Sequence, residues 1–260
     1  MVSYNGFDDS PDAEVISYGP NIKVVDDVSI GRHGNYLQWG YKASPKYMNQ
    51  AAQLAFVNSI HYIAKFSGSK PYVFRKESSR VNAPTLAYVV SDKGFAYRQK
   101  QAQRVNDKID AVKAKEMAGM ALTENEKANY KNLKNTAPTR IDALKRLPKD
   151  LVQKFANQWN SYLNYYEENI GYIKPAKRAY HFEFDRDVQE LGIANNDPKL
   201  LDVCVEKLLK KQDVTRAQRI LERYTTQKFE HPKDWKKWLD KNRDRLFFSD
   251  TGGYKFHIKQ

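Results

Sequence analysis

A single cysteine, Cys204, stands in 260 residues. That excludes a disulfide framework and any thiolate zinc cluster, since both need at least two. Nothing approaches the roughly 18 consecutive apolar residues of a membrane-spanning helix, so no membrane span is expected. The first 20 residues include Asp8, Asp9, Asp12 and Glu14 and lack both a basic start and an apolar stretch. No signal peptide is therefore expected on this chain. A Gly-x-Ser-x-Gly elbow, a P-loop and a GxGxxG turn are missing too, and with them the commonest sequence marks of hydrolases and nucleotide binders. One cysteine suits a reducing cytoplasm and an exported protein alike, so the compartment stays open.

Aromatics, by contrast, are plentiful: 17 Tyr, 12 Phe and 4 Trp, far more than a disordered tail carries. The net charge is +13. It is −5 over residues 1–30 and +9 over 31–100, so the basic excess is no compact tail. Such a charge permits anionic partners without naming one. Binding of nucleic acid through the basic surface is one reading. Yet the Lys and Arg of 98–134 and 207–245 are interspersed with acids, as on solvated helices, and no nucleic-acid motif occurs. Nucleic acid is therefore not the expected partner.

Periodicity predicts an α+β chain, predominantly helical. In residues 13–41 the runs Val15-Ile16, Val24-Val25, Val28–Ile30 and Tyr36–Trp39 alternate with Gly and Asn, which reads as strands and turns. Ser44-Pro45 is a good helix start. Beyond it Met48, Ala52, Phe56, Ile60 and Ile63 mark one face and Leu54, Val57 and His61 another, so this helix should be buried on two sides. The expected first unit is thus a partial α/β layer at 1–75. Residues 76–147 read as linker and helical hairpin, with Pro84 and Gly94 breaking any long element early. The hairpin helix begins at Arg98, and a capping box at Thr123–Glu126 starts its second arm. Residues 148–260 read as a helical tail. An aromatic stripe (Phe155, Trp159, Tyr162, Tyr166) lies on one helix, and Leu201, Cys204, Val205 and Leu208 repeat at helical spacing. Two apolar runs around Gly252-Gly253 close the tail in a β-hairpin.

Few residues suggest chemistry. Gly31–Asn35 could cradle an anion, because glycines admit backbone N–H groups and Arg32 adds charge; its plainer reading is a tight turn. Arg32, His33, Asn35 and Trp39 are the candidate ligand-binding residues. His181, Glu183 and Asp185 alternate, and on a strand they would share one face and could hold a divalent metal. The plainer reading is an exposed polar face opposite buried Phe182 and Phe184, with Asp185 capping a helix. His61 reads as a neutral core histidine and Cys204 as inert packing. No cofactor is implied.

Two stretches, Ile30–Pro45 followed by Met48 and Phe56–Phe66, resemble the closing part of an α/β domain in uncharacterised bacterial proteins. That domain is similar to the trehalose-utilisation (ThuA-like) and class I glutamine-amidotransferase-like folds. Leu191–Leu201, Arg219–Thr225 and Trp235–Phe256 look like the helical tail of the same proteins. In that group further strands and helices precede the Asp8–Val15 segment, and any pocket at the carboxyl ends of a parallel sheet would lie there. With no catalytic signature in the residues, the leading expectation is a non-catalytic accessory or interaction module, for which the resemblance implies a carbohydrate-related, extracytoplasmic setting. Its implied partner is an upstream α/β segment or another protein. The rival reading is a hydrolase-like enzyme using Gly31–Asn35 or His181, Glu183 and Asp185.

Overall fold

The computed structural model describes residues 4, 7–19, 27–178 and 181–259. Along the chain, strands β1 (Ala13–Gly19), β2 (Asp27–His33) and β3 (Tyr36–Trp39) precede helix α1 (Gln50–Ala64). Helices α2 (Ala83–Tyr88), α3 (Asp92–Met117), α4 (Glu124–Asn129), α5 (Ile141–Leu144), α6 (Lys149–Phe155) and α7 (Trp159–Glu168) follow. Short strands β4 (Ile173–Pro175) and β5 (Phe182–Phe184) lead into α8 (Arg186–Leu191), α9 (Lys199–Leu209), α10 (Val214–Tyr224) and α11 (Pro232–Asn242). The chain closes in β6 (Leu246–Ser249) and β7 (Lys255–Ile258). The protein is a predominantly helical α+β fold with small antiparallel sheets. The strand expected at Val24-Val25 lies outside the described residues.

Two compact units emerge: Met1–Arg80 with Gly171–Tyr180 and Phe184–Gln260, and Val81–Ile170 with His181–Glu183. Where boundaries were expected near 75 and 147, the chain divides after Arg80 and after Ile170.

In the first unit β1, β2 and β3 form an antiparallel sheet in that order, with Arg32 opposite Glu14 and Leu37. The helix does not begin at Ser44-Pro45. A single tight turn spans Pro45–Tyr47, Met48 is extended, and Asn49 caps α1 by accepting from the Ala52 amide at 2.9 Å. One face of α1 meets the sheet: Phe56 packs edge-on against Trp39, and Ser59 is buried. The face of Leu54, Val57 and His61, expected to be buried, is open, and Ile60, expected on the Phe56 face, is exposed beside it.

The unit's apolar core is the tail. Leu200, Leu201, Cys204, Val205 and Leu208 of α9 pack with Ala217, Ile220, Leu221 and Tyr224 of α10, Trp235 and Leu239 of α11, and Phe256 of β7. Each such aliphatic side chain contributes about 1.5–3 kcal/mol by leaving water. The Trp235 indole N–H donates to Gln218 and to the Phe229 carbonyl, so its burial leaves no orphan donor. A turn of Ser249–Tyr254 joins β6 to β7 and ties the tail to the N-terminal layer. Asp9 accepts from the Thr251 amide and hydroxyl, the Thr251 carbonyl accepts from the amides of Lys76 and Glu77, and Arg80 pairs with Asp250.

The second unit is helical. Pro84 sits in the first turn of α2, and Gly94 lies inside the first turn of α3 rather than breaking it; a Cβ there would fall 1.9 Å from the Tyr88 carbonyl oxygen. The long helix therefore starts at Asp92, six residues before the expected Arg98, with Ser91 as its cap. It ends in a Schellman motif: Gly119 takes a positive φ, its amide donates to the Glu116 carbonyl, and the Met120 amide donates to that of Lys115. Thr123 and Glu126 make the expected capping box. The returning arm is held by Lys115–Glu126 and Lys131–Glu116 pairs. The aromatic stripe falls on two helices, because Ala156 adopts a positive φ and its carbonyl accepts from the Tyr162 hydroxyl.

Candidate functional site

Pleating separates the residues proposed as ligands near the turn. On β2, Arg32 shares a face with Ile30, opposite Leu37 and Trp39 of β3, beneath α1. His33 points to the other face, where its Nε2 lies 3.6 Å from Asp12. Asn35 is exposed in the turn. Gly34 there has φ +57°, and a side chain at 34 would collide with Pro71. The glycine pair thus serves a tight turn and close packing. Trp39 packs against Tyr41 and Phe56 at ring separations of 5.2 and 5.1 Å. Arg32 and Trp39 come together on one face of the layer; His33 and Asn35 do not join them.

At the open end of this layer lies a cavity of about 580 Å³. Arg32 forms its floor, with the guanidinium 3.9 Å from the Phe66 ring centroid. Its Nε donates to Glu14 at 3.1 Å and one terminal nitrogen to the Gly34 carbonyl at 3.1 Å. Glu14 also accepts from the Tyr62 hydroxyl at 2.6 Å. That bond, with Arg32 beside it, holds the Glu14 carboxyl below its ordinary range; the same bond to Glu14 raises the Tyr62 phenol, against the opposing pull of Arg32. Asp12 closes one wall, accepting from Ser10 at 2.5 Å and from the Tyr72 amide at 3.0 Å. Gly68, Ser69 and Lys70 form the rim. Asp12, Phe66 and Lys70 were invisible as site residues in the sequence, because Asp12 comes from one segment and Phe66 and Lys70 from another, and only the fold brings both to Arg32.

The polar strand at 181–185 has a different fate. Phe182 and Phe184 are buried and Glu183 is exposed, but the alternation stops at Asp185, which is itself buried and caps α8. Its carboxylate accepts from the Asp187 amide, from the Tyr224 hydroxyl at 2.6 Å and from Arg223. Tyr224 is pushed well above its usual range by burial, and Asp185 beside it adds to this. With these partners Asp185 has no free face to share with His181 and Glu183. Among the described residues no group of three or more His, Cys, Asp or Glu side chains could hold a metal ion.

His61, expected in the core, is exposed and lines a groove of about 470 Å³ between α1 and the sheet, with Ile16, Ile30 and Tyr62. Cys204 is fully buried, and burial pushes its thiol up to about 12, which leaves no thiolate for chemistry at neutral pH.

No protein-family model, curated protein or solved structure matches this chain. The site must therefore be read on its own chemistry.

That chemistry is of two kinds. One is the polar cavity floored by Arg32. The other is the outer face of α1, which carries no Asp, Glu, Lys or Arg in 15 residues, where the chain average of 29% would place about four. Leu54, Val57 and Ile60 there are 57%, 46% and 53% exposed.

Proposed function

We propose that this chain is a non-catalytic interaction module that docks through α1 onto an apolar face of an α/β domain. One observation carries the reading: a helix without charge whose apolar stripe Leu54, Val57 and Ile60 is open to water. Scattered exposed apolar residues are ordinary, but a contiguous stripe beside an apolar groove marks an interaction surface. Partner choice rests on the resemblance of Ile30–Pro45 and Phe56–Phe66 to the closing part of an α/β layer, where a helix of this kind is covered on both sides. The same resemblance supports a carbohydrate-related assembly as its setting.

Amide hydrogen exchange on the whole chain tests the reading, together with the double substitution Leu54→Lys and Ile60→Lys. In the isolated chain α1 exchanges well before α9 and α10. The double variant stays within about 1 kcal/mol of the wild type, as at surface sites. The wild type also enhances the fluorescence of an apolar-surface dye, and the variant does not. Protection of α1 equal to that of α9, with a loss above about 3 kcal/mol in the variant, would mean the chain covers this face itself, and the proposal would fail.

A further inference from the structure

We infer that the cavity floored by Arg32 binds the oxyanion of a small molecule, a phosphate or a carboxylate. Net charge would not choose an anion, since Arg32 and Lys70 are set against Asp12 and, behind Arg32, Glu14. Hydrogen-bonding capacity does. The one carboxylate that lines the cavity, Asp12, already accepts at both oxygens, from Ser10 and from the Tyr72 amide; Glu14, which does not line it, accepts from Tyr62 and Arg32 through a single oxygen. The cations keep donors in hand. Arg32 donates through Nε to Glu14 and through one terminal nitrogen to the Gly34 carbonyl, two bonds from a fork that carries five N–H donors. Lys70, exposed on the rim, has no partner among the described residues. A site with unused donors and occupied acceptors is completed by an acceptor, and an oxyanion satisfies a guanidinium fork and an ammonium together.

Preorganisation strengthens the case. The guanidinium lies against Phe66 and is anchored through two of its nitrogens, so little side-chain freedom remains to be lost on binding. A volume of about 580 Å³ lies within the range of small-molecule sites, so the oxyanion can belong to a larger body resting on Pro11 and Tyr72.

Titration of the full chain with inorganic phosphate, succinate and glucose at matched ionic strength, followed by amide shifts at Gly68–Lys70, tests this. Saturable binding of phosphate or succinate is expected, and the tighter of the two tells a phosphate site from a carboxylate site. Lys70→Glu should weaken binding about tenfold or more by reversing one charged contact. Lys46→Glu, the same reversal outside the cavity, should change it by less than about twofold. Arg32→Lys keeps the charge and removes the fork, and should also lose affinity; Lys70 decides the matter even if that variant folds poorly. Equal losses in the Lys70 and Lys46 variants, no saturable binding of either anion, or glucose binding as tightly as phosphate would each overturn the proposal.

Discussion

At the scale of single residues, the pair Arg80–Asp250 bears the heaviest duty. Arg80 donates to Asp250 through its backbone amide at 2.8 Å, through Nε at 2.9 and 3.0 Å, and through a terminal nitrogen at 2.7 Å. Both side chains are about one-tenth exposed. The guanidinium also faces the rings of Phe248 and Tyr254. Removing one member takes from the other buried charge its opposite charge, which is far worse than never having built the pair. Asp250→Ala should therefore lower stability by about 3–5 kcal/mol in urea unfolding. A loss below about 1 kcal/mol would show that water reaches the pair. Asp9 and Thr251 sit beside it, so the effects of Asp9 and Asp250 substitutions should not add.

Among the elements, helix ends give the sharpest expectation. The turn after α9 has the Schellman pattern, with the Gln212 amide donating to the Lys207 carbonyl and the Lys211 amide to that of Leu208. Lys211 occupies the left-handed position with φ +57°, where a Cβ is strained. Lys211→Gly should stabilise the chain by about 1 kcal/mol, seen as a shift of the urea midpoint with unchanged slope. Helices α9, α10 and α11 could be read directly from the sequence, because their apolar spacing matches the face they bury. The outer face of α1 could not: spacing reports that Leu54 and Val57 are apolar, but not what covers them. Gly94 misled for a related reason, since a glycine that lets Tyr88 approach looks like one that breaks a helix. The cavity was half visible. Arg32 lies in a Gly-flanked segment, whereas Asp12 and Lys70 arrive from distant positions with no spacing to betray them. The His181–Asp185 alternation was real for three residues and failed where α8 took Asp185 as its cap.

For the whole molecule, the tie between the N-terminal layer and the tail makes stability depend on pH. His257, beside Gly252 in the closing hairpin, has its imidazole pKa lowered by burial, with Lys255 and Lys76 acting in the same direction. The unfolded chain then takes up a proton near pH 6.5 before the folded one does, so stability falls as pH drops through 6.5 toward the folded value. Burial acts oppositely on Asp9, whose carboxyl is raised above the ordinary range; the folded chain protonates there first and gains stability as pH falls further. Urea midpoints should thus decline from pH 7.5 to 5.5, and His257→Gln should flatten that decline. An equal decline in both proteins would assign the acid limb to other groups.

The joining of Arg80 to Asp250, 170 positions later, also sets a schedule for synthesis. At roughly 5–20 residues per second, Arg80 is made on the order of 10–30 s before Asp250 exists. Throughout that interval the nascent chain holds a guanidinium destined for burial, and the Ser249–Tyr254 turn that supplies its carboxylate has yet to be translated. Vulnerability to proteases and demand for chaperones should therefore peak during translation of 81–249 and fall once the Ser249–Tyr254 turn emerges.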